Sequence, residues 1–67
     1  MKQCEIEYDG TTWKVNDFVP TAGDSEKVLN FHGADGRGFN TWVAVDAVDD
    51  TTPFETLVGY LRQAMRE

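Results

Sequence analysis

Cys4 and His32 are the single cysteine and the single histidine of the chain, and a thiolate nucleophile with an imidazole base would have to be built from these two. The residues around them argue against it. Cys4, Ile6 and Tyr8 alternate with Gln3, Glu5 and Glu7, the pattern of a half-buried strand, so Cys4 belongs to an apolar face as a structural thiol. His32 falls on the side opposite Phe31, which places the two groups on different sides. With Ser25 the only serine and no carboxylate pair set in a cleft, acyl transfer and glycoside hydrolysis find no support. A chain this short also has little room for a pocket. The expectation is a protein that is not an enzyme and uses no cofactor.

Two further stretches resemble ligand sites. Asp46-Ala47-Val48-Asp49-Asp50 gathers acids, but calcium needs about six to eight oxygens and the EF-hand spacing is missing. Asp49 and Asp50 instead suit the positive end of a following helix, so no metal is expected. Gly33-Ala34-Asp35-Gly36-Arg37-Gly38 lacks the Lys-Ser or Lys-Thr of a phosphate loop and the order of a dinucleotide fingerprint, and it leads from strand to strand. It reads as a hairpin turn, with Arg37 at its tip free to meet an acidic group.

The elements that position these residues follow from periodicity. Asp9-Gly10 offers a two-residue type I′ turn, and counting outward pairs Tyr8 with Thr11, Glu7 with Thr12, Ile6 with Trp13, Glu5 with Lys14 and Cys4 with Val15. Trp13 is thereby assigned to the core. Thr21 to Ser25 is small and polar, as a surface loop should be. Alternation resumes from Lys27, and Phe39 to Val45 supplies a partner strand. A two-residue turn at Asp35-Gly36 would place Trp42 in the core. A three-residue loop with Gly36 in the left-handed conformation instead pairs Phe31 with Phe39 and Leu29 with Thr41. That second register is preferred because it collects Leu29, Phe31, Phe39, Val43 and Val45 on one face. Val28, Asn30, His32, Asn40, Trp42 and Ala44 are left on the other.

Thr52-Pro53-Phe54-Glu55 has the form of a capping box with proline at the first helical position. A helix of about four turns is expected after it, with Phe54, Leu57, Val58, Leu61, Ala64 and Met65 on one stripe. Gly59 interrupts it, either because backbone approaches something closely there or because its cost is tolerated. The assembled picture is one α+β domain over residues 1–67: two β-hairpins form a four-stranded antiparallel sheet, ββββα, with the helix on one face. The other face is left open.

With 67 residues and a formal charge of −6, the chain repels phosphate backbones, so nucleic-acid binding is disfavoured. No apolar run reaches the roughly 20 residues of a membrane span, and the start lacks a signal peptide's apolar core. A cytoplasmic protein with Cys4 reduced is expected, without membrane contact. The leading function is a small acidic interaction module that binds a protein partner, or itself as a homodimer, through the open face or a sheet edge. Trp42, His32, Asn40, Asn30, Val28 and Arg37 are its candidate binding residues. The alternatives are a nucleic-acid-binding sheet or an acidic mimic of nucleic acid.

Overall fold

The computed structural model describes residues 1–67. Four strands, β1 (Cys4–Tyr8), β2 (Thr11–Phe18), β3 (Glu26–Gly33) and β4 (Gly38–Ala44), precede one helix, α1 (Phe54–Met65). The strands form an antiparallel sheet in the order β1-β2-β3-β4, the ββββα arrangement read from the residue pattern. Asp9 and Gly10 both take positive φ, 56° and 72°, as a type I′ turn requires. The first hairpin pairs Ile6 with Trp13 and Cys4 with Val15. In the second, Gly36 sits at φ 93° and Gly33 donates to the Arg37 carbonyl at 2.8 Å. The three-residue loop with its bulge therefore forms, and Phe31 faces Phe39.

Because side chains alternate across a strand, this register sends Ile6, Trp13, Val15, Leu29, Phe31 and Val43 to one face. There they are buried with Val48, Leu57 and Leu61. α1 packs against both outer strands, β1 and β4, so the sheet curls around it. Trp13 has no exposed surface. Its indole N–H donates to the Tyr8 carbonyl at 3.1 Å, and its ring lies 5.9 Å from that of Phe39. Gly33 is what admits the ring: a Cβ there would stand 3.0 Å from Trp13 and 2.7 Å from an Asp35 carboxylate oxygen.

Two expectations about the helix are corrected. The capping box does not form: Pro53 is the N-cap, without a side-chain cap. The Thr52 hydroxyl instead accepts the Asp49 N–H at 2.8 Å, closing the preceding turn, so it is spent before the helix begins. The helix is accordingly shorter than expected, 12 residues, and Phe54 at its start is 60% exposed rather than part of the core stripe. At Gly59 an added Cβ would meet nothing within 4 Å, so no close approach explains this glycine. Gly59→Ala is expected to stabilise the protein by about 0.5–1 kcal/mol through helix propensity alone, measured as a raised urea midpoint.

One feature of the covered face is polar. Asp17 on β2 and Lys27 on β3 share the inward parity of Val15 and Leu29, and they meet there at 2.7 Å with both side chains under a tenth exposed. The Lys27 ammonium also donates to the Val48 carbonyl at 2.9 Å, and the Met1 ammonium lies 3.0 Å from the same Asp17 carboxylate. Burial pushes the Asp17 carboxyl up, but the hydrogen bonds and charges of these two cations outweigh it and hold the group below the ordinary carboxylate value.

Candidate sheet-face interface

The uncovered face is organised in rows set by the strand register. Phe18, Val28 and Trp42 lie side by side across β2, β3 and β4, giving an apolar band. Phe18 is 51% exposed and Trp42 54%, while Val28 between them is 8% exposed. The two aromatic side chains flank Val28 and leave their own outer surfaces to solvent. The neighbouring row is Asn16, Asn30 and Asn40, three carboxamides that each offer donors and an acceptor. Beyond it, Lys14 stands between Glu5 and His32. These three line a shallow recess of about 340 Å³ with Thr12, Gly33 and Ala34.

Five of the six candidate residues thus share this face: Val28, Asn30, His32, Asn40 and Trp42. Arg37 does not join them. Its guanidinium lies 5.0 Å from the centre of the Trp13 ring and its Nε lies 2.6 Å from an Asp35 carboxylate oxygen, so it folds over the covered side of the hairpin instead of projecting from the tip. Asp35 is correspondingly held below the usual carboxylate range, chiefly by the Arg37 backbone N–H, which outweighs burial, with the Arg37 side chain adding to it.

Phe18, Asn16 and Lys14 were not among the expected residues, although they belong to the same rows. Alternation along Thr12, Lys14, Asn16 and Phe18 carries the signal. It is obscured because the inward position between Asn16 and Phe18 holds Asp17, whose charge interrupts the apolar half of the pattern.

Cys4 and His32 lie on opposite faces of the sheet, as their positions in β1 and β3 require. Burial, reinforced by the negative charge of Asp50, raises the Cys4 thiol pKa, which disfavours a nucleophilic thiolate. No three His, Cys, Asp or Glu side chains converge to hold a metal ion. In the acidic run the Asp49 carboxylate accepts the Thr51 hydroxyl at 2.6 Å and the Thr51 N–H at 2.8 Å, so it organises the turn before α1. No helix is long and apolar enough to cross a membrane. No protein-family model, curated protein or solved structure matches the chain.

Proposed function

We propose that the protein is a small acidic interaction module that binds a protein partner, or a second copy of itself, through the uncovered side of its sheet. The observation that carries this reading is the apolar row Phe18, Val28 and Trp42, set beside the asparagine row Asn16, Asn30 and Asn40 on the face that lacks a helix. Aromatic anchors beside adaptable carboxamides combine buried area with orientation-dependent hydrogen bonds, the composition that suits protein interfaces. A cytoplasmic setting fits a chain whose single cysteine, Cys4, has no second cysteine to pair with.

Nucleic acid is the weaker partner for the same face. Two exposed aromatics on a sheet would suit base stacking, but Glu5, Glu7 and Glu26 share the face with Lys14, leaving no basic path for a backbone. The acid-mimic alternative has less support, since Asp17, Asp35 and Asp49 are tied up in contacts within the chain.

The test compares the wild-type chain with Phe18→Ala/Trp42→Ala as bait in extract of its own cells, with light scattering over a concentration range for self-association. Both changes are at exposed sites, so the variant should keep its far-UV circular dichroism. The expected result is loss of the retained partner, or of the dimer, in the folded variant. Equal retention by both proteins would contradict the reading.

A further inference from the structure

Resting on the reading of the protein as an interaction module, we infer that the outer edge of β4 takes up a basic, extended segment of a partner protein as a fifth strand. β4 neighbours only β3. Gly33 donates to Arg37 and Val45 donates to Ser25, and pairing alternates along an antiparallel ladder. The odd-numbered residues of β4 therefore bond to β3, and the backbone groups of Gly38, Asn40, Trp42 and Ala44 point outward. The Ala44 carbonyl is taken by the Ala47 N–H at 2.9 Å. What remains is a run of seven groups: N–H and C=O of Gly38, Asn40 and Trp42, and N–H of Ala44.

Edge strands are ordinarily guarded by charges, proline or bulges. β1, the other edge, carries Glu5 and Glu7 within Cys4–Tyr8. β4 reads GFNTWVA, with no charge and no proline, in a chain whose residues are 27% charged.

Charge selects the occupant. Trp42 shares an open recess with Asp24, Ser25 and Glu26, which lie on its β3 side, so a long incoming side chain on the outer side crosses the indole face to reach the two carboxylates. That combination favours a guanidinium or ammonium group. A strand with alternating chemistry would set its basic residues beside Trp42 and its apolar ones along the Phe39 and Val43 side. A second copy is disfavoured because each chain brings a charge of −6 to the same edge. Strand addition of this kind draws affinity from main-chain bonds and specificity from alternate side chains.

The experiment titrates the full ¹⁵N-labelled chain with acetyl-Thr-Val-Arg-Val-Arg-Val-Thr-amide and follows chemical shifts and amide hydrogen exchange. Exchange at Asn40, Trp42 and Ala44 is expected to slow by about tenfold or more, since it then requires the added strand to leave. The same peptide with Glu in place of Arg should not bind. Asp24→Asn/Glu26→Gln should weaken the Arg peptide about fivefold, in the range of a charge-assisted surface contact. Equal binding of the Glu peptide would overturn the basic specificity. Slowing of the same amides with protein concentration alone would assign the edge to a second copy and overturn the inference. Shifts across Lys14, Asn16 and Phe18 without protection at β4 would overturn strand addition while supporting the sheet face as an interface. Absence of any response overturns the inference and leaves the interaction reading to the Phe18→Ala/Trp42→Ala comparison.

Discussion

Asp17→Ala is expected to unfold the protein at room temperature. The substitution leaves the Lys27 ammonium buried with only the Val48 carbonyl as partner, and removing one member of a buried ion pair costs about 3–5 kcal/mol. A domain of this size rarely holds more than about 3–5 kcal/mol of stability, so the loss matches the whole. Replacing both partners, Asp17→Leu with Lys27→Met, removes the orphaned charge and should restore much of the urea midpoint, since apolar replacement of a buried pair is often neutral or better. The same pair sets an acid limit. Asp17 titrates below its ordinary value of 3.8 in the folded chain, so its contribution is complete above that unfolded value and is lost as pH falls through the lower folded one. The double replacement should therefore flatten the acid side of a stability profile measured by urea denaturation. A midpoint unchanged by Asp17→Ala would contradict this account of the pair.

Trp13→Ala should be comparably severe. The indole is wholly buried, packs against Phe39, and supports the Arg37 guanidinium on its face. Truncating a buried Trp costs about 3–5 kcal/mol, and here the vacated space lies under both hairpins. Loss of cooperative unfolding in urea is the expected readout. Trp13→Phe keeps most of the volume but loses the hydrogen bond to Tyr8, and should lower the midpoint without abolishing the transition. A wild-type midpoint for Trp13→Ala would mean that the ring is not a structural centre.

Both sites show what a pattern of residues conveys and what it hides. The Ile6–Trp13 pairing was legible because the Asp9-Gly10 turn fixes a register that one slipped residue would reverse. The second register was legible because one turn geometry alone gathers Leu29, Phe31 and Phe39 on a single face. Asp17 and Lys27 were not, because inward-pointing charges in neighbouring strands look like solvent-facing ones until their pairing at 2.7 Å is seen. The same obscurity hid Phe18 and Asn16 beside them. At the helix start, the local string Thr52-Pro53-Phe54-Glu55 satisfied a capping pattern, but the nearby Asp49 N–H competed for the Thr52 hydroxyl and won. Arg37 was visible as a charge at a turn, whereas its attachment to Trp13 depends on the curl of the hairpin. On the open face, Val28, Asn30, His32, Asn40 and Trp42 were legible as a group because alternation assigns them together whatever lies above them.

The central claim is that contact with a partner runs through the face bearing Phe18, Val28 and Trp42. The most direct measurement places a photo-crosslinking amino acid at position 42, and separately at position 55 on the exposed start of α1, and irradiates each variant chain in extract of its own cells. The account predicts one discrete adduct from position 42, lost when Phe18→Ala is added, and none from position 55. Adducts from position 55 alone would contradict it, and adducts from 42 irrespective of Phe18 would overturn the shared face and leave the outer edge of β4 as the contact.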